Sequence, residues 1–256
     1  QCITFLKNIF ILHGCGVGGG SLVYANTLLI PPSKAFKDNG WPDNNWEEKL
    51  MPHFDTAKKM LGSTPSPHLG VSELMLKECA EEMDRGDTFE PVNVGVYYGK
   101  AGVEEKDPYF NGEGPDRRGC ILCGECMVGC RHNAKNTLVK NYLYLAEKAG
   151  ATILPEREVL DINISQGSYR VTVKKSTGVY HQKEFIKAKK IILSGGVMGT
   201  VKLLLKCKQK GTLPDISDTL GNYVRTNSEA ILGTYSIRKD KDNDYTRGVA
   251  ISAGFQ

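Results

Sequence analysis

The sequence predicts an α/β fold in which an antiparallel meander leads into a doubly wound, parallel-sheet element. Three observations predict it. Val159–Ile164 and Tyr169–Val173 read as strands, the second with clean period-two alternation, and Glu184–Lys189 reads as a third. A short apolar run, Ile191-Ile192-Leu193, then enters a turn at Ser194-Gly195-Gly196. A leucine-rich helix, Met198–Lys208, follows. A buried strand fed through a glycine turn into a helix is the repeating element of parallel α/β sheets.

The remaining elements follow in chain order. Ile3–Leu12 is an apolar stretch and Gly14–Ser21 is glycine-rich. Pro31-Pro32 marks a loop. Asn45–Gly62 reads as a helix, because Trp46, Leu50, Phe54, Ala57 and Leu61 recur at spacings of three and four and Gly62 ends it. Ser72–Met83 reads as a second helix with Ser72 as its N-cap. Residues 84–132 are rich in Gly, Pro and Asp and read as loops. A further helix is expected over Asn136–Ala149, with Leu138, Tyr142, Leu145 and Ala149 on one face and Gly150 at its end. Ala151–Leu154 reads as another strand, and Gly248–Gly254 is strand-like. There is no internal repeat.

Composition is that of an ordinary globular chain: 256 residues, 40% hydrophobic, 24% charged, net charge +4. The basic residues form no single tract, so nothing calls for a nucleic-acid partner. No apolar run is long enough for a transmembrane segment. The chain starts at Gln1 and ends at Gln256 after a strand-like segment, so both ends look cut and targeting information is expected to lie outside it.

Gly14, Gly16, Gly18, Gly19 and Gly20 fall within seven residues, followed by Ser21 and the apolar Leu22-Val23. Backbone without Cβ atoms approaches a flat ring or a pyrophosphate closely, and its N–H groups serve an anion; a plain tight-turn loop is the competing reading. The stretch is not the dinucleotide fingerprint, which needs a preceding strand and an acidic residue about twenty positions on.

Gly16-Val17-Gly18-Gly19-Gly20-Ser21-Leu22-Val23 resembles the second flavin-contacting loop of the glucose-methanol-choline oxidoreductases, most closely their cholesterol-oxidase-like branch. Ile192–Leu204, with Ser194-Gly195-Gly196, resembles the family's second signature, near the adenosine part of FAD. Glu158-Val159-Leu160-Asp161-Ile162 resembles the strand whose valine main chain meets the adenine. The resemblance implies a Rossmann-like FAD-binding domain, incomplete here, with an antiparallel meander and an interposed cap or substrate segment. It implies that Gly16, Gly18, Gly19, Gly20, Ser21, Tyr24, Ala25, Asn26, Val159, Ser194, Gly195 and Gly196 contact the cofactor. The branch carries Asn-Gly-Gly after Ser-Leu-Val, where this chain has Tyr24-Ala25-Asn26. The implied reaction is oxidation of an alcohol, a sterol or another hydrophobic one, to a carbonyl, with hydride passing to the flavin. The electron acceptor is unassigned. The family's fingerprint is expected upstream of Gln1 and its catalytic His and Asn beyond Gln256. None of His13, His53, His68, His132 and His181 matches the catalytic motif, and the chain alone is expected to be inactive. On this reading residues 1–31 carry the flavin loop, 32–135 the cap segment, 136–225 the rest of the FAD domain, and 226–256 the start of a substrate domain.

Eight cysteines are present. Cys2, Cys15, Cys79 and Cys207 are scattered and read as small buried apolar residues. Cys120, Cys123, Cys126 and Cys130 have the Cys-x2-Cys-x2-Cys-x3-Cys ligand spacing of bacterial ferredoxins, with Arg131 where those carry Pro. A four-iron cluster (4Fe-4S) is the first reading. A four-thiolate zinc site is the second and a metal-free loop the third. Such clustering also favours a reducing, cytoplasmic compartment over a disulfide scaffold. If flavin is absent, an iron–sulfur electron carrier or a zinc-bearing binding module are the alternatives. Arg117, Arg118 and Arg131 flank the cysteines, either offsetting thiolate charge or forming a solvated face. Asp107–Gly112 reads as a turn: a lid, a docking surface, or a loop packed on the core.

Overall fold

The computed structural model describes residues 2–37, 40, 45–179, 182–225, 232–233 and 244–256. His181 and most of the expected substrate-domain start, residues 226–231 and 234–243, lie outside the described residues. The chain divides into two compact units, Gln1–Ile153 with Arg238–Gln256, and Leu154–Ile237.

The larger unit begins with a hairpin of β1 (Cys2–Phe5) and β2 (Phe10–His13), with Cys2 opposite His13. A disulfide joins Cys2 to Cys15 across it. Of the four scattered cysteines, only Cys207 is buried, as expected; Cys2 and Cys15 are bonded and Cys79 is exposed. The correction has a simple cause, since the hairpin brings two residues thirteen apart within reach.

Helix α1 (Trp46–Leu61) matches the periodicity, and its half-buried stripe is the one expected. Gly62 ends it in the left-handed region, with φ 58°. Glu47 and Glu48 in the first turn and Lys58 and Lys59 in the last complement the helix dipole. Helix α2 (Val71–Glu82) is capped by Gly70, not Ser72, because Glu73 reaches back to accept the Gly70 N–H at 2.8 Å.

The centre of this unit is an extended segment that the loop reading of 84–132 passed over. Val92, Val94 and Val96 alternate at period two and form the core with Cys126, Ala134 and Val249. Around this spine Leu28 N–H donates to Asn93 O, Gly95 N–H to Asn26 O, Asn136 N–H to Gly95 O and Cys120 N–H to Tyr97 O. The exit of the glycine loop and the cysteine segment are thereby tied to one backbone.

That pairing also breaks the helix expected over Asn136–Ala149. Val96 bridges Lys135, so Lys135 and Asn136 run extended. A 3₁₀ turn, Leu138–Lys140, follows, and helix α3 (Tyr142–Lys148) starts only after Asn141, whose Oδ1 accepts the Tyr142 N–H at 2.6 Å. Ala151–Leu154 is no strand; it carries the chain from one unit to the next.

The smaller unit is a three-stranded antiparallel meander, β3 (Arg157–Ser165), β4 (Ser168–Lys175) and β5 (Lys183–Ala188), in sequence order. Helix α4 (Gly196–Lys210) packs on β3. Cys207, fully buried, faces Asp161, which also accepts from Thr212 at 3.0 Å. The strand expected at Ile191–Leu193 is not formed, and Ile192 is 91% exposed. A parallel strand needs a neighbouring strand to pair with, and none among the described residues does so. No helix among the described residues is long and apolar enough to cross a membrane.

Candidate functional site

The glycine loop is held in one shape. A Cβ on Gly14 would fall 2.1 Å from the Gly19 carbonyl oxygen, so the two limbs of the loop touch through bare backbone. Gly19–Leu22 closes as a 3₁₀ turn entered through Gly18 at φ 106°. Ser21 Oγ donates to Gly18 O at 2.7 Å and accepts the Leu138 N–H at 2.9 Å. By contrast, a Cβ at Gly19 or Gly20 meets nothing within 4 Å. One side of the loop is closed by its own chain and the other is open.

Beside the loop lies a cleft of about 590 Å³, lined by Leu22, Val23, Cys130, Arg131, Lys135 and Lys140 among others. Its cationic lining suits an anionic group. Burial lowers the pKa of Lys140, with Arg117 lowering it further and Cys130 opposing.

Three of the expected flavin contacts sit on the exit from this loop. Tyr24 turns its hydroxyl inward and donates to Asn136 O at 2.8 Å; burial pushes its pKa up. Ala25 is half-buried. Asn26 is fully buried at φ 71°, and neither amide atom has a partner among the described residues. In the smaller unit, Val159 is 39% exposed, and the ladder shifts register between Val159 and Asp161. Ser194, Gly195 and Gly196 are exposed, Gly195 as the N-cap of α4.

Cys120, Cys123, Cys126 and Cys130 line one cavity, together with His132 and Lys135. The segment is held by Gly124 N–H to Gly248 O at 3.1 Å and Gly248 N–H to Leu122 O at 3.0 Å. Leu122 N–H donates to Cys120 Sγ at 3.4 Å. Burial pushes the Cys120 thiol up to about 11; the Leu122 N–H opposes this, and Cys126, Cys130 and Cys123 push it further. Among the described residues, no three His, Cys, Asp or Glu side chains form a group that could hold one metal ion.

Two cations complete the site: Arg117, one of the three flanking arginines open to two readings, and Lys135, which carried no signal. Lys135 is 2% exposed; its Nζ donates to Tyr24 O at 2.8 Å, Cys126 O at 2.9 Å and Leu22 O at 3.3 Å. It also lies 4.5 Å from the centre of the Tyr24 ring. Arg117 is 1% exposed and donates to the carbonyls of Asn133, Ala134 and Lys135 and to Asn136 Oδ1. Burial lowers the pKa of both, with Tyr109 and Cys130 opposing at Arg117 and Cys126 and Cys130 at Lys135. Arg118 pairs with Glu104 and Arg131 with Glu125, both on the surface. The turn at Asp107 packs on the core: its carboxylate accepts four backbone N–H groups, and Tyr109 meets Tyr97 edge to face with ring centroids 5.8 Å apart. No sequence signal marks Lys135 as buried, whereas the alternation of Val92, Val94 and Val96 was available to find the spine.

A GMC oxidoreductase family model matches residues 2–208. A cholesterol oxidase of Mycobacterium tuberculosis (strain ATCC 25618 / H37Rv) is 45% identical over 261 residues, covering 99% of this chain and 45% of that protein. A cholesterol oxidase of Acinetobacter baumannii is 43% identical over 263 residues, covering 98% of this chain and 47% of that protein. The chain thus spans just under half the length of these relatives.

Proposed function

Because the chain belongs to the GMC oxidoreductase family, we propose that it forms part of an FAD-dependent enzyme that oxidises the hydroxyl of a sterol, or of another hydrophobic alcohol, to a carbonyl. The observation that carries this reading is the glycine loop, rigid on one side and free of side chains on the other, beside a cationic cleft. That is a cradle a Cβ would fill, and it fits a flavin cofactor. Gly16, Gly18, Gly19, Gly20 and Ser21 are the residues assigned to hold it, with Tyr24, Ala25 and Asn26 fixing the loop exit. Val159 and Ser194-Gly195-Gly196 are assigned to its adenosine part by family resemblance.

The flavin, when bound, supplies the hydride acceptor. The protein's own contribution here is position and charge. Ser21 locks the 3₁₀ turn through its two hydrogen bonds. Lys135 anchors the Leu22 and Tyr24 carbonyls, so the backbone beside the cleft is held in place before any ligand arrives. The base that takes the hydroxyl proton is assigned to no described residue. The similarity to cholesterol oxidases supports a sterol substrate, and the flavin-free alternatives have no such support.

The test uses the full-length protein. Flavin absorbance in the purified protein, together with oxidation of cholesterol in preference to a short-chain alcohol, is the expected result. Protein that carries no flavin overturns the reading; flavin with turnover of small polar alcohols only overturns the sterol assignment.

A further inference from the structure

We propose that Cys120, Cys123, Cys126 and Cys130 hold one four-iron, four-sulfide cluster, with Lys135 and Arg117 offsetting its negative charge. The proposal stands apart from the flavin reading. It rests on two observations.

The first is convergence. Four cysteines in the ferredoxin spacing line a single cavity, Cys126 from the buried core and the other three half-buried around it. The chain wraps round them with Gly124 at φ 73° and Gly129 at φ 114°, conformations that favour glycine. The Leu122 N–H aimed at Cys120 Sγ is the kind of donor that a metal-bound thiolate accepts.

The second is charge. Two fully buried cations, Lys135 and Arg117, have no carboxylate partner among the described residues. Lys135 lines the cavity, and Arg117 donates to the carbonyls of Ala134 and Lys135, two of its lining residues. Burying an unpaired charge is costly, and a nearby anion is the usual compensation. Four thiolates on an oxidised four-iron core carry a net charge of about −2, which matches the two cations.

The Cys-x2-Cys-x2-Cys-x3-Cys spacing is that of four-iron cluster ligands, which favours the cluster over a single zinc ion. The cavity among the thiols is about 10 Å³, so the loop has to open to admit the cube. Cys130 and Lys135 line both this cavity and the cleft beside the glycine loop, so the cluster would stand at the wall of that cleft.

The experiment is iron, zinc and acid-labile sulfide analysis of the full-length protein, purified without oxygen and again after reconstitution with ferrous iron and sulfide. About four irons and four sulfides per chain are expected, with a paramagnetic signal after dithionite reduction. Cys126→Ala is expected to lose that signal and Cys79→Ala to keep it. One zinc per chain without sulfide overturns the proposal, as does protein that takes up no cluster under either condition. If Cys126→Ala does not fold, the metal and sulfide content of the unaltered protein decides. Lys135→Gln is expected to shift the cluster's reduction midpoint to more negative values, and an unchanged midpoint removes Lys135 from its role.

Discussion

Lys135 donates to the carbonyl oxygen of Cys126 at 2.9 Å. The same ammonium holds Tyr24 O at 2.8 Å, so one buried side chain joins the cysteine segment to the exit of the glycine loop. These stretches lie about a hundred residues apart in sequence, and their shared fixation makes the two halves of the site mechanically dependent.

Replacing Lys135 with Met should therefore destabilise the protein. The stem is kept, but three carbonyls lose their donor in a buried setting. A loss of about 2–5 kcal/mol is expected. Denaturant unfolding of the full-length protein measures it, and a change within error would show that the ammonium contributes no net stability.

Arg117 and Arg118 are adjacent in sequence and opposite in setting. Arg117 is buried on four oxygens, while Arg118 reaches Glu104 at 2.9 Å on the surface. Arg117→Lys should cost more than about 2 kcal/mol, because a single ammonium cannot serve a planar fork of acceptors. Arg118→Ala should cost less than about 1 kcal/mol. Thermal melting of both variants checks the contrast.

The glycine loop offers a paired test of fold against cofactor. Gly14→Ala places a Cβ against the Gly19 carbonyl, so the loop must open, and both stability and flavin retention should fall. Gly20→Ala places a Cβ in open space at an ordinary φ, so the fold should be unaffected. If that space is the cofactor's, the Gly20 variant loses flavin while melting normally. Full flavin content in Gly20→Ala places the cofactor elsewhere.

Asp107 gives a pH dependence of definite sign. Burial works to raise its pKa, but the N–H groups of Gly114, Tyr109, Phe110 and Gly112 hold it below the ordinary carboxylate value. A folded pKa below the unfolded one gives stability that is complete above about pH 4 and is lost as pH falls through the folded value. Asp107→Asn should lower stability at neutral pH by about 1–3 kcal/mol and flatten the acid limb of the profile. Unfolding free energies of both proteins from pH 7 down to pH 3 test this.

The sequence alone determined the elements whose signal is local. Helix α1 followed from five apolar residues at helical spacing and a terminal glycine, and the meander from alternating strands. It also determined the family, because three motifs in fixed order are a property of sequence. The tertiary structure decided what depends on partners remote in the chain. Lys135 and Asn136 belong to no helix because Val96 and Gly95 hold them extended. Ile191–Leu193 forms no strand, because no described strand pairs with it. Lys135 carried no signal and Arg117 was open between a charge offset and a solvated face, yet the fold buries both, Lys135 at the four-cysteine cavity and Arg117 on the carbonyls of Ala134 and Lys135. Burial of a charge leaves no mark in sequence; it is set by which carbonyls and anions the folded chain brings to it.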